Sequence, residues 1–131
     1  MGISHIGIPV YNSDRLWAFY TRTLAPLGIE VSMIIGPGET QSGGTAIGFG
    51  TPEQPGFFWF GDNEVVGEGI HVAFDAATRD AVHEFYDAAL KAGGADNGPP
   101  GLRPHYGPNY YAAFVLDPDG HNIEAVCLAP E

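Results

Sequence analysis

Two histidines and one glutamate, His5, His71 and Glu124, carry the chemistry this sequence offers. Each sits in a short stretch with strand-like alternation. In 2–10, Ile6, Ile8 and Val10 point one way, and Ile3, His5, Gly7 and Pro9 the other. In 69–75, Ile70, Val72 and Phe74 share one face and His71, Ala73 and Asp75 the opposite one. In 122–128, Glu124, Val126 and Leu128 alternate with Ile123, Ala125 and Cys127. An acid inside the apolar run NIEAVCL is costly to bury unless it is paired, hydrogen-bonded or bound to a metal. Two imidazoles and one carboxylate form the set that holds a divalent ion on one side and leaves positions open for water or substrate. Fe(II), Mn(II), Zn(II), Ni(II) and Co(II) all suit such donors. The competing assignment pairs Glu124 with a histidine, or with His121 or Arg103 nearby in sequence.

The histidines open two copies of one pattern. HIGIPVYNSDRLWAFYTRTLAPLG runs over 5–28, and HVAFDAATRDAVHEFYDAALKAGG over 71–94. At the offset 71 − 5 = 66, Asp14 meets Asp80, Phe19-Tyr20 meets Phe85-Tyr86, and Gly28 meets Gly94. A repeated unit means repeated structure, so His5 and His71 occupy equivalent points of two half-domains. The same offset carries Glu124 to Phe58, and the neighbours Phe57, Trp59 and Phe60 are not ligands either. Three protein ligands are therefore the most this chain provides.

The elements that must position these groups follow the repeat. After each histidine strand comes a helix with an apolar stripe: Leu16, Phe19, Tyr20 and Leu24, then Val82, Phe85, Tyr86, Ala89 and Leu90. Asn12 or Ser13 caps the first helix and Thr78 the second. Pro26 and Gly28 end the first, Gly93-Gly94 the second. Strands are expected at 29–35, 45–50 and 57–60, then at 110–116 and 122–128 around the turn Asp117-Pro118-Asp119-Gly120. The stretch 97–109 is rich in Pro and Gly, and 103–111 is loop-like. Each half thus reads strand–helix–strand–strand–strand, with one strand of the second half poorly marked. Helices outside and a wet concave face inside satisfy both faces of such a sheet.

Composition narrows the partners. The 131 residues suit a single domain, with module one at about 1–66 and module two at about 67–131. A formal charge of −11, from 16 acids against 5 bases, disfavours nucleic acid and anionic membranes. One cysteine, Cys127, allows no internal disulfide and reads as apolar filler. No apolar stretch suits a bilayer span. MGISHIG lacks the features of a signal peptide, so the expected compartment is the cytoplasm.

SHIGIPV, GIHVAFD and YYAAFVLDPDGHNIEAV, together with the repeat, resemble the vicinal oxygen chelate superfamily: glyoxalase I, bleomycin-resistance proteins, fosfomycin-resistance thiol transferases and extradiol dioxygenases. The likeness covers nearly the whole chain, and the DPDG turn before an acid-bearing strand is its most specific part. It implies an α+β fold of two βαβββ modules, forming an incomplete barrel around a concave cleft, in homodimers. It also implies metal ligands at His5, His71 and Glu124, and Lewis-acid chemistry on a small oxygen-chelating molecule. The missing fourth ligand points away from lactoylglutathione lyase. The alternative is a non-catalytic protein of bleomycin-resistance type that sequesters a small ligand.

The remaining candidates are aromatic or protonic. Phe58, Trp59 and Tyr110 are candidates to contact substrate, on a wall that suits an apolar or aromatic molecule rather than a polyanion. His105 and Tyr106, in the rigid stretch from Arg103 to Tyr111, are candidate proton-transfer groups. The other interpretation of that stretch is a packed connection that buries its aromatics against a partner subunit. His83 and His121 are expected at the surface.

Overall fold

A computed structural model describes residues 2–130. The repeat is realised as two modules in tandem. The first runs β1 (Ile6–Pro9), α1 (Ser13–Thr23), β2 (Glu30–Ile35), β3 (Ala46–Gly50) and β4 (Phe58–Gly61). The second runs β5 (His71–Asp75), α2 (Arg79–Lys91), β6 (Ala95–Leu102), β7 (Tyr111–Leu116) and β8 (Asn122–Cys127). Each module makes one four-stranded sheet, ordered β1-β4-β3-β2 and β5-β8-β7-β6. In each, the first strand pairs parallel with the last, and the other pairings are antiparallel. Neither sheet closes, so the α+β architecture of paired βαβββ modules is as the sequence implies.

Local chemistry explains the boundaries. The Asn12 side chain accepts from the Arg15 amide, and Thr78 accepts from Ala81, each filling an orphan donor at a helix start. The first helix passes into a short 3₁₀ turn, Ala25–Leu27, and Gly28 at φ 76° reverses the chain. Leu16, Phe19 and Tyr20 from α1 and Val82, Phe85 and Ala89 from α2 are buried. They share one core with Ile8, Phe58 and Phe60 of the first sheet and Phe74, Ile123 and Ala125 of the second. Phe58 meets Phe74 edge-on at 5.1 Å between ring centroids, which joins the two sheets. Cys127 is buried in the same core.

One element is hidden in the sequence and one expectation fails, each for a physical reason. The poorly marked strand of the second half is β6, around Pro99-Pro100. It lies at the sheet edge and its register shifts between Asp96 and Gly98 and again between Gly98 and Gly101. An edge strand with bulges tolerates prolines, and Pro99 and Pro100 fall in the break between Gly98 and Gly101, where neither has a ladder partner. His121 is buried rather than exposed, at 2% accessibility. Its ring nitrogen lies 3.0 Å from the Pro9 carbonyl, while its amide donates to Asp117. The Asp119 carboxylate also accepts from the Tyr11 amide, so the turn between β7 and β8 is docked on the end of β1. Among the described residues, no helix is long and apolar enough to cross a membrane.

Candidate metal and substrate site

The second sheet brings two of the three expected donors together. In the parallel pair β5–β8, Ala73 stands opposite Glu124, so His71, two residues before Ala73, shares its face. The His71 Nε2 lies 2.9 Å from Glu124 Oε1. Glu124 is 1% exposed, whereas the His71 side chain is 48% exposed. The buried carboxylate therefore faces the groove through a half-open imidazole. Its second oxygen accepts from the Tyr110 hydroxyl at 2.5 Å. Burial, followed by the hydrogen bond to Glu124 and its charge, pushes the Tyr110 phenol up to about 12, so the hydroxyl stays a donor at neutral pH. Glu124 thus has a partner on each oxygen, which answers the cost of burying it.

His5 stands apart from this pair. It lies just before β1, exposed, with Nδ1 3.1 Å from the Ser4 hydroxyl. It does share a groove of about 360 Å³ with His71, along Ile6, Phe57 and Phe74. Among the described residues, no three His, Cys, Asp or Glu side chains gather closely enough to hold an ion. The 2.9 Å between His71 and Glu124 matches two neighbouring ligands, each about 2.0–2.2 Å from one ion and roughly at right angles. The donor set therefore fits a divalent ion at two positions, and the third requires His5 to reach across that groove or to come from elsewhere.

The first sheet resolves the broken symmetry more finely than the sequence offset did. Ala73 corresponds to Gly7 at the offset 73 − 7 = 66, and Gly7 pairs with Trp59 as Ala73 pairs with Glu124. Trp59, not Phe58, therefore occupies the place of the carboxylate. Phe58 points the other way and is fully buried, at the wall of the groove that His5 and His71 share. Trp59 is half-buried and lines a cavity of about 640 Å³ with His5, Thr40, Glu39 and Glu64. One edge of its indole rests on Gly48, where a Cβ would come within 2.7 Å of the ring. Its Nε1 donates to the Gly56 carbonyl at 2.8 Å.

His105 and Tyr106 are exposed, with ring centroids 4.1 Å apart and planes tilted by 43°, and Tyr106 lies 5.2 Å from the Tyr110 ring. Tyr110, expected to contact substrate, is tied directly to Glu124. The missed signal is parity: Tyr110, Ala112 and Phe114 share one face, and the β7–β8 register sets Phe114 opposite Glu124. His83 is at the surface, 2.6 Å from the Tyr111 hydroxyl.

Comparison with known proteins agrees with this architecture. No curated protein matches the chain. A glyoxalase/bleomycin resistance protein from Albidiferax ferrireducens superposes with a TM-score of 0.72 at 25% identity, covering 97% of this chain and 98% of the other. A glyoxylase/bleomycin resistance protein/dioxygenase domain from Frankia gives 0.73 at 19% identity, covering 98% of each chain. Glyoxalase I from Zea mays gives 0.67 at 18% identity, with 95% of this chain matched to 45% of the maize chain. The family model for the glyoxalase/bleomycin resistance protein/dioxygenase superfamily matches residues 2–125. With that match spanning nearly its full length, the chain belongs to the glyoxalase/bleomycin resistance protein/dioxygenase superfamily.

Proposed function

We propose that this protein is a metal-dependent enzyme acting on a small, oxygen-chelating, apolar or aromatic substrate, in the cytoplasm and as a homodimer. The ligands are His71 and Glu124, with His5 as the third. The observation that carries the proposal is the 2.9 Å contact between a half-exposed imidazole and a buried carboxylate on the open face of the second sheet. A divalent ion held there (Fe, Mn, Zn, Ni or Co) would supply Lewis acidity toward an oxygen of the substrate.

The chain's own residues do the rest. Tyr110 holds the second oxygen of Glu124, which leaves one oxygen beside His71. A ligand fixed by such a partner is oriented before metal arrives. His105 and Tyr106, packed beside Tyr110, are the proton-transfer candidates. Phe114, 6.2 Å from the His71 ring, offers an apolar floor.

Metal analysis of the protein purified without chelator tests this. About one equivalent of a divalent ion is expected per chain, lost in His71→Ala and in Glu124→Gln, and weakened in His5→Ala. Absence of stoichiometric metal, or unchanged occupancy in His71→Ala, sinks the proposal. The second reading is a non-catalytic binding protein, favoured by the 640 Å³ cavity over Trp59, which Glu124 does not line. In that case Trp59→Leu abolishes ligand binding and Glu124→Gln leaves it intact.

A further inference from the structure

Arg103 differs from the other four cations of the chain. Arg15 and Arg22 lie on α1, and Arg79 and Lys91 on α2. Arg103 directly follows β6, and its side chain returns over that strand. Its Nη1 donates to the Gly101 carbonyl at 2.9 Å and its Nη2 to the Pro99 carbonyl at 2.8 Å. The guanidinium carbon lies 5.5 Å from the centre of the Phe114 ring. Glycines make the space: a Cβ on Gly101 would come within 3.2 Å of Nη1, and one on Gly98 within 3.2 Å of Nη2 and 3.1 Å of Phe114. Phe114 stands directly opposite Glu124, so this cation shares the face of the carboxylate–imidazole pair.

Its surroundings leave the charge unanswered. The chain has 16 acids for 5 bases. Even so, among the described residues no carboxylate lies within 4.0 Å of the Arg103 guanidinium. Neutral carbonyls orient Arg103 without neutralising it. Two of its five N–H groups are used in this way, and the remainder can form a charge-assisted fork to a carboxylate.

We propose that Arg103 anchors the carboxylate of an aromatic substrate whose opposite, oxygen-bearing end meets His71 and Glu124. The guanidinium lies over Phe114 on β7, β8 with Glu124 is the next strand and β5 with His71 the one beyond, so the anchor and the donor pair stand about one to two strand spacings apart, roughly 5–10 Å. One ring carrying groups at both ends spans that interval. Phe114 on the middle strand lies beneath it, and Tyr106 and Tyr110 form a side wall. A single guanidinium selects a monoanion, in keeping with the scarcity of cations elsewhere. The reacting end rests on the metal site proposed above; the anchor does not.

The experiment is calorimetric titration of the full chain at fixed ionic strength, with matched acid and amide probes. Benzoate and benzamide are titrated into chelator-treated protein, and 3,4-dihydroxybenzoate and its amide into zinc-loaded protein. Each acid is expected to bind about tenfold or more tighter than its amide, the size of a charge-assisted contact. Arg103→Gln should erase that preference while leaving the amides unchanged, and Arg103→Lys should keep part of it. Lys also preserves the charge if Gln lowers stability. Equal binding of acid and amide, no binding of either acid at millimolar concentration, or a preference that survives in Arg103→Gln overturns the proposal. If the benzoate preference holds while zinc makes no difference to the dihydroxy probe, the metal site is lost and the anchor stands.

Discussion

Removing the Tyr110 hydroxyl should cost more stability than removing the entire His71 side chain, although both touch the same carboxylate. Glu124 is 1% exposed, with Tyr110 on one oxygen and His71 on the other. A hydrogen bond to a buried charged group contributes about 1.5–3 kcal/mol. Tyr110 is half-buried, so water partly replaces it and the lower end, about 1.5 kcal/mol, applies to Tyr110→Phe. The His71 side chain is 48% exposed, which places its ion pair nearer the surface value of about 0–1 kcal/mol. Unfolding entropy of about 2.1 cal/mol/K per residue, over 131 residues, converts 1.5 kcal/mol into a fall of about 5 °C in Tm. Urea unfolding of metal-free protein at pH 7, followed by far-ultraviolet circular dichroism, measures both variants. In a Glu124→Gln background the cost of Tyr110→Phe should shrink, giving a coupling of about 1 kcal/mol. A cost below about 0.5 kcal/mol for Tyr110→Phe, or a larger one for His71→Ala, would show that the carboxylate is satisfied in another way.

The Tyr110 phenol should ionise near 12 when followed by NMR, and Glu124→Gln should bring it down toward its ordinary value. Its raised folded-state value favours the neutral phenol. The associated stability is therefore complete below the unfolded value of about 10 and is lost as pH climbs through about 12. Gly48→Ala should displace the Trp59 indole, because the new Cβ would sit 2.7 Å from the ring; a shifted emission maximum in a Trp17→Phe background reports it. Phe58→Ala should cost about 3–5 kcal/mol in denaturant unfolding, as expected for a fully buried ring. A small cost there would place Phe58 outside the core.

Most of the architecture was legible along the chain, because strand alternation, helix stripes and caps are local signals repeated in both halves. Asn12 and Thr78 cap where their side-chain chemistry required. The Asp117-Pro118-Asp119-Gly120 turn set the register that puts Phe114 opposite Glu124. Strand β6 was hidden because Gly and Pro read as loop residues, and only the edge position and the bulges of its sheet make them tolerable. His121 was misplaced because its burial depends on the Pro9 carbonyl, far away in sequence.

The sequence by itself determined which residue types could bind a metal and that two histidines were equivalent by repeat. It also determined that no fourth ligand exists near Phe58. Only the tertiary structure decided who meets whom. Parallel pairing of β5 with β8 set His71 against Glu124, while His5, one residue outside β1, stayed at the far side of a groove. The same register in the first module exchanged Phe58 for Trp59 as the counterpart of Glu124. Strand parity is readable from sequence only once the register is known, and register is a property of two strands together.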